Sequence, residues 1–263
     1  MKWTDIPHGT ITAAEQRLWV AIGDNADVVA TRINTDPGFV TRLAGFAVNP
    51  PFADKWCTSL NAQWLRAREI MGKNFFGIEE AVQDFGVHPS ETQLAALAQV
   101  PFTEEVLQSH KDTHILVAVF PLSILDIRGK VDRKLFRSHK DAWYNKQTFA
   151  KDKGEVGWQL VRKTPVANSA NTIWEDHLVL LGPDEKVPKA QALVYTIIGH
   201  YLATGERLFE SVCIRSSDID SVGHLVCVGY FGAGGLNVYY HWDYLRDDYL
   251  GVASARKFRT SNT

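Results

Sequence analysis

The spacing of hydrophobic residues changes along this chain from a helical period to one that favours strands. In the first 110 residues, apolar side chains recur every three or four positions, which is the period of an amphipathic helix. The later part contains short runs of β-branched and aromatic residues, which are typical of strands. The helical pattern predicts helices over residues 13–22, 26–33, 37–47, 60–71, 78–85, 91–98 and 103–109.

Capping residues support the borders of several helices. Ser90 and Gln93 form a capping box that opens one helix, and Thr103 precedes two glutamates at the start of the next. Gly86 suits the left-handed backbone that ends many helices. The longest helix is predicted over 188–204, with a proline in its first turn and a glycine directly after its last residue.

Strand signals dominate the sequence after residue 110. Two turn compositions, SSDIDSVG and GAGG, separate β-rich runs near the end of the chain, as in an antiparallel meander. In the run at 156–163, Trp158 and Leu160 fall on one face because side chains alternate along a strand. Strands are predicted over residues 114–120, 156–163, 207–215, 224–231, 236–242 and 252–258.

The fold class that follows is α+β: a helical N-terminal part, then an antiparallel β-meander packed against a long helix. A mostly helical region is predicted over 1–110, and a mixed region with a C-terminal antiparallel sheet over 111–263. Leu193, Ile197 and Tyr201 form the apolar stripe by which the long helix would pack on the sheet. Whether the two regions form one compact body stays open at this point.

Charge is distributed unevenly, although the whole chain carries only −2. Residues 121–165 hold 11 basic and 5 acidic side chains, whereas the segments on both sides are acidic. All 11 of these lysines and arginines lie between Arg128 and Lys163, interleaved with five aromatic residues. Clustered cations create a local field that the net charge conceals.

This basic and aromatic stretch, 128–163, predicts a non-enzymatic binding protein for nucleic acid or another polyanion. Lysine and arginine neutralise phosphates, and exposed bases stack on aromatic rings. On a helix, Arg133, Arg137 and Lys140 would share one face. Two plainer interpretations stay open: a solvated surface whose aromatic residues face the core, and neutralisation by the acidic N-terminal helices. The predicted contacts are phosphate neutralisation by Arg133, Lys134, Arg137 and Lys140 and stacking by Trp143 and Tyr144.

Two hypotheses from other functional classes compete with this one. The first is an enzyme whose acid–base residues meet in a cleft beside the sheet, which requires that two or more of them converge in one pocket. The second is a protein–protein interaction module in which exposed tryptophans act as anchors. The candidate acid–base residues are His200, Glu206, His224, His241 and Asp243.

More specific chemistries find little support in the sequence, and neither a metal nor a cofactor is predicted. His110 and His114 have a ligand-like spacing but span the joint between a predicted helix and a strand. Cys213 and Cys227 fall in apolar strands, which is typical of inert buried thiols. The loop at 218–223 lacks the later ligands of a calcium loop.

The chain shows no targeting or membrane signal. Its first residues lack the apolar stretch of a secretory signal, and the longest apolar run, 115–122, has 8 residues, too few to span a bilayer. These observations predict a cytoplasmic protein with no membrane partner. They do not indicate an oligomeric state.

Three segments carry a resemblance to other sequences: THILVAVFPLSILDIRGKV, GWQLVRKTPVANS and AQALVYTIIGHYLATGERLFE. Together with the strands that follow, over about residues 70–258, they resemble a family of uncharacterised bacterial proteins. No activity is known to us for that family. The resemblance therefore implies a bacterial protein with a shared body, and it assigns no role to any residue.

Overall fold

The structure, a computed structural model, describes residues 61–138 and 140–257, all of which belong to the compact unit Ser59–Thr263. The helices predicted over 13–22, 26–33 and 37–47 lie outside these residues. The α+β class is confirmed, because the described residues form eight α-helices and two mixed sheets. None of the described helices combines the length and apolarity that a bilayer crossing requires.

The helices of the described part are short, with one exception. In addition to the α-helices, the described residues contain three 3-10 turns, at Gly72–Asn74, Arg133–Leu135 and Trp143–Lys146. The α-helices are α1 (Asn61–Met71), α2 (Ile78–Phe85), α3 (Glu91–Ala96), α4 (Glu104–His110), α5 (Ile124–Lys130), α6 (Thr148–Lys151), α7 (Trp174–Leu180) and α8 (Ala190–Thr204).

Nine strands form two sheets in the described residues. The strands are β1 (Phe75–Phe76), β2 (His114–Val119), β3 (Gly157–Arg162), β4 (Glu185–Lys186), β5 (Cys213–Ile219), β6 (Leu225–Gly232), β7 (Gly235–His241), β8 (Leu250–Val252) and β9 (Ala255–Arg256). The five-stranded sheet has the order β1-β2-β3-β9-β4, with β1 and β2 parallel and the other pairs antiparallel. The four-stranded sheet has the order β7-β6-β5-β8, with β5 and β8 parallel and the others antiparallel.

Local capping explains where the early helices begin and end, as predicted. Ser90 Oγ accepts the backbone N–H of Gln93 at 3.3 Å, and Gln93 Oε1 accepts the N–H of Ser90 at 2.9 Å, so the capping box of α3 is confirmed. Gly86 adopts φ 56° after α2, the left-handed conformation expected of a C-terminal glycine. Thr103 caps α4 through the N–H of Val106.

The long helix α8 packs on the sheets as predicted, but its burial extends around the whole helix. It contacts β1 and β2 of the five-stranded sheet as well as β5 and β6 of the four-stranded sheet. Every residue of α8 from Ala190 to His200 is buried, so the single stripe inferred from the sequence was too narrow. Gly199 permits this close fit, because a Cβ there would lie 2.9 Å from the ring of Phe76.

The end of the described chain links the two sheets instead of extending the meander. Strands β5, β6 and β7 form the predicted antiparallel meander. The fourth strand, predicted over 252–258, is replaced by two short ones: β8 pairs with β5, and β9 pairs with β3 and β4 in the other sheet. The prediction of one strand was wrong because the chain changes sheets at Ala253 and Ser254, which no local pattern reveals.

Candidate functional site

The basic segment does not fold as a continuous helix. Arg133 and Lys134 lie in a 3-10 turn, after which Phe136 forms a parallel bridge with Leu236 of β7. The backbone N–H of Arg137 donates to the carbonyl of Leu236 at 3.0 Å. A helix on which Arg133, Arg137 and Lys140 would share one face therefore does not form, because Phe136 and Arg137 pair with the edge strand β7 of the four-stranded sheet. We call residues 132–147 the basic loop.

The aromatic residues of the segment are mostly structural. Phe136 and Tyr144 are buried, with 3% and 1% of their surface exposed. The hydroxyl of Tyr144 donates to the carbonyl of Ser138 at 3.3 Å. Trp143 is half-buried, and its Nε1 donates to the carbonyl of Val238 in β7 at 2.8 Å. Tyr144 therefore has no free face for stacking, and its predicted role is corrected to that of an anchor for the loop.

Some of the eleven cations serve the interior of the protein. The guanidinium of Arg128 donates to Asn145 Oδ1 at 2.7 Å and to the carbonyl of Ser138, and it lies over the ring of Tyr144. Lys163 forms an ion pair with Glu206 at 2.8 Å. Arg128 holds the basic loop together, so it is a poor candidate for contact with a partner.

The four side chains that were predicted to contact phosphates lie at the surface of the protein. Arg133, Lys134, Arg137 and Lys140 are all exposed. Among the described residues, no carboxylate forms an ion pair with Lys134, Arg137 or Lys140. The loop that carries them is fixed by its own bonds: Asp132 accepts the N–H of Lys134, and Asn145 donates to the carbonyl of Lys140.

A continuous series of ring contacts starts at the basic loop and runs along the end of β7; we call it the aromatic ladder. The Trp143 ring lies 4.7 Å from that of Tyr240, which stacks on His224 at 4.8 Å and 17°. The His224 ring is 3.9 Å from Trp242, which stacks on Tyr244 at 5.8 Å and 14°. Tyr239 stacks beside Tyr240 at 5.2 Å. The members are Trp143, Tyr239, Tyr240, His224, Trp242 and Tyr244.

Three rings of the ladder are open to solvent. Tyr239, Trp242 and Tyr244 expose 43%, 49% and 64% of their surface. None of them was among the predicted stacking residues. The run YYHWDY at 239–244 was the signal that could have pointed to them, because so many aromatic residues cannot all enter the core at the end of an edge strand.

His224 forms the middle of the ladder and is held by a buried carboxylate. Asp220 Oδ2 accepts a hydrogen bond from His224 Nδ1 at 2.8 Å, which leaves Nε2 buried without a partner among the described residues. Burial alone would raise the pKa of Asp220, but hydrogen bonds from the His224 ring and from the N–H groups of His224 and Val222 lower it. The pair fixes the ring orientation on which Tyr240 and Trp242 pack.

A buried arginine fixes the turn that carries the exposed rings. The guanidinium of Arg215 donates to the carbonyls of Trp242 at 2.9 Å and Leu245 at 2.8 Å. It also contacts His177 Nδ1 at 3.3 Å; His177 Nε2 donates to the carbonyl of Ser169 at 2.6 Å, so Nδ1 accepts from Arg215. Arg215 thus sets the position of the 242–245 turn from beneath.

Of the five residues considered as acid–base groups, the structure brings two together. His200 Nε2 lies 3.4 Å from Glu206 Oε2, a contact without hydrogen-bond alignment. His224 is instead paired with Asp220, and Asp243 is an exposed residue of the turn after β7. His241 is half-buried at the end of β7, where burial and Arg215 lower its pKa. Apart from His200 and Glu206, no two of the five side chains share an ion pair or hydrogen bond among the described residues, so they do not form one catalytic pocket.

Glu206 is held as a carboxylate by two lysines. Lys163 and Lys73 form ion pairs with it at 2.8 and 2.9 Å, and together they lower the pKa of Glu206 to about 2, with Lys163 the largest cause. Burial lowers the pKa of His200 more than Glu206 raises it, so this histidine stays neutral near pH 7. The cluster joins the end of α8 to β3 and is readily explained as structural.

We expect Glu206→Gln to destabilise the protein at neutral pH by about 1–2 kcal/mol. The loss is smaller than for a fully buried ion pair, because the side chain is one-third exposed and solvent screens its charge. A lowered folded-state pKa gives stability that is complete above the unfolded value near 4.5 and is lost as the pH falls toward 2. The difference between wild type and variant should therefore shrink from pH 7 to pH 3 in urea unfolding. Exposed Glu210→Gln is the control, and a difference that does not depend on pH would contradict the ion-pair explanation.

The remaining motifs have structural partners. His114 is buried beside His110, with ring centroids 4.6 Å apart, and burial lowers its pKa to about 3. Arg256 donates to His110 Nε2 at 3.2 Å, so a cation occupies the place that a metal would need. The described residues contain no group of three metal-ligating side chains. Asp218 accepts the N–H of Ala190 at the start of α8.

The chain matches no family model, no curated protein and no solved structure. The resemblance to an uncharacterised bacterial family stays a prediction. The candidate functional site is therefore defined by its geometry alone, as the aromatic ladder and the basic loop beside it.

Proposed function

We propose that this protein is a non-enzymatic binding protein for single-stranded nucleic acid. In this proposal the bases stack on the exposed rings of the aromatic ladder, and the phosphates meet the cations of the basic loop. The observation that supports it best is the unbroken contact between the two, because Trp143 belongs to both the loop and the ladder.

The chemistry of a single strand requires both parts of this surface. Its bases offer flat faces that stack on aromatic rings, and each stacked base contributes about 1–3 kcal/mol. Its phosphates need cations that are not already neutralised, a condition that Lys134, Arg137 and Lys140 meet among the described residues. A duplex hides its base faces, so the ladder favours a single strand over a double one.

Affinity for a labelled oligothymidine should depend on the three loop cations. The variant Lys134→Ala/Arg137→Ala/Lys140→Ala should weaken binding and reduce the slope of log K against log salt by about 2, since each phosphate contact adds about 0.7. Fluorescence anisotropy at several salt concentrations measures both the affinity and the salt slope. The matched control is Lys111→Ala/Lys186→Ala/Lys257→Ala, which should change binding little. Lys186 lies in β4 and Lys257 follows β9, both in the five-stranded sheet, and Lys111 directly follows α4.

A separate pair of variants tests the rings. Trp242→Ala or Tyr244→Ala should each cost about 1–3 kcal/mol of binding free energy without changing the salt slope. Tyr249→Ala is the control, because Tyr249 is 61% exposed but lies outside the ladder. If the folded wild type binds no oligonucleotide at low salt, or if the two triple cation variants behave alike, the proposed function is wrong.

A further inference from the structure

Charge differs at the two ends of the aromatic ladder. At the Trp143 end the basic loop carries five lysines and arginines for two aspartates, and Lys134, Arg137 and Lys140 are exposed. At the Tyr244 end the chain reads WDYLRDDY and carries three aspartates for one arginine. A phosphate is thus favoured at the first end and disfavoured at the second.

The carboxylates at the Tyr244 end form no ion pair with a lysine or arginine among the described residues. Asp243 accepts only the N–H of Tyr244, and Asp247 accepts that of Tyr249, among the hydrogen bonds of the described residues. Arg246 is directed to Asp176, at 3.8 Å, and to the carbonyl of Asn171. Arg215, the other nearby cation, attracts Asp243 electrostatically, but it is fully buried beneath the turn and cannot contact a ligand at the surface.

The ladder is also short. Four ring-to-ring steps of 3.9 to 5.8 Å separate Trp143 from Tyr244. Residues Val238 to Trp242 of the supporting chain span about 13 Å, at about 3.3 Å for each strand residue. This length accommodates about two to four stacked nucleotides, at the small end of single-strand sites.

From the charge gradient and the short ladder we propose that the site binds the end of a single strand in one orientation. The terminal base stacks at Trp242 and Tyr244, where the aspartates repel any continuing phosphate, and the strand leaves past the basic loop. This inference rests on the proposed function and adds to it a ligand class: strand ends with about three nucleotides in contact.

The length of the oligonucleotide tests this proposal. An internal site of three nucleotides would bind a 12-mer about tenfold more tightly than a 3-mer, because the longer strand offers about ten registers. End binding offers one register, so thymidine 3-mers and 12-mers should bind within about threefold of each other. A closed circular single strand, which has no end, should bind at least tenfold more weakly than the linear 12-mer.

Neutralising the aspartates should remove this preference. The variant Asp243→Asn/Asp247→Asn/Asp248→Asn retains oxygens that can accept the same N–H bonds, and it should bind circles and linear 12-mers alike. Glu105→Gln/Asp112→Gln/Glu210→Gln, three exposed residues elsewhere, is the control and should behave as wild type.

The possible results separate the two proposals. Equal binding of circular and linear strands by the wild type, or a tenfold gain with length, would overturn end recognition while leaving single-strand binding intact. No binding to any oligonucleotide would instead overturn the proposed function, and end recognition with it.

Discussion

Replacing Gly235 with alanine should detach the basic loop from β7 and weaken both stability and single-strand binding. Gly235 has φ 90°, a conformation that L-residues rarely adopt. A Cβ there would lie 2.7 Å from the carbonyl oxygen of Lys134 and 2.9 Å from the N of Arg137, both backbone atoms that cannot rotate away. We expect a loss of about 2–4 kcal/mol in the free energy of unfolding, from backbone strain and displacement of the loop.

The neighbouring glycine provides a closely matched control. A Cβ at Gly234 meets no atom within 4 Å, and its φ is not positive, so Gly234→Ala should change stability by less than about 0.5 kcal/mol. Urea unfolding and oligonucleotide anisotropy should be measured on both variants. Equal stability of the two would refute the tight approach of loop and strand. A destabilised Gly235→Ala whose folded fraction binds normally would show that the loop takes no part in binding.

Elements with local signals were predictable from the sequence. The capping box of Ser90 and Gln93, the glycine after α2 and the strand β2 all follow from residues near in sequence. The GAGG turn between β6 and β7 is of the same kind. In each case the backbone conformation is set by a side chain or a glycine at the position itself.

Features set by distant contacts were not predictable. The basic segment is extended because Phe136 and Arg137 pair with Leu236, a partner one hundred residues along the chain. The helix period of its cations was a coincidence of spacing. Likewise, α8 is buried on all sides from Ala190 to His200 because two sheets and the helices α2, α5 and α6 surround it, and a stripe in its sequence could indicate only one of these partners.

The candidate functional site also combines features that the sequence predicts with features that it does not. Exposure of Lys134, Arg137 and Lys140 was predictable, because unpaired lysine and arginine side chains rarely leave water. Which aromatic rings reach the surface was not, since Tyr144 is buried by the loop that Arg128 organises, whereas Trp242 is exposed beside His224. Clustering in the sequence therefore pointed to the loop with the exposed cations, but it did not point to the exposed rings Tyr239, Trp242 and Tyr244.

Replacing Arg215 with methionine should have the other large effect. Its guanidinium is fully buried and donates to the carbonyls of Thr172, Trp242 and Leu245. Methionine fills a similar volume but donates no hydrogen bond. Each of these carbonyls would lose its donor, at a cost of about 1–3 kcal/mol of stability. Removal of a buried charge whose Nε has no hydrogen-bond partner among the described residues offsets part of this loss, so we expect a total of about 3–5 kcal/mol in the free energy of unfolding.

The same change should weaken single-strand binding beyond what lost stability explains, because Arg215 positions the turn that carries Trp242 and Tyr244. Affinity should therefore be measured at a temperature where the variant is folded by circular dichroism. Arg162→Met is the control: Arg162 is half-buried, and its side-chain hydrogen bond goes to Thr164 at the surface. Arg215→Lys, with one nitrogen in place of a fork, should restore part of the stability but less of the affinity, because a single ammonium cannot hold both turn carbonyls in place. If Arg215→Met binds as tightly as Arg162→Met, the turn does not need this anchor, and the exposed rings are held by the ladder contacts alone.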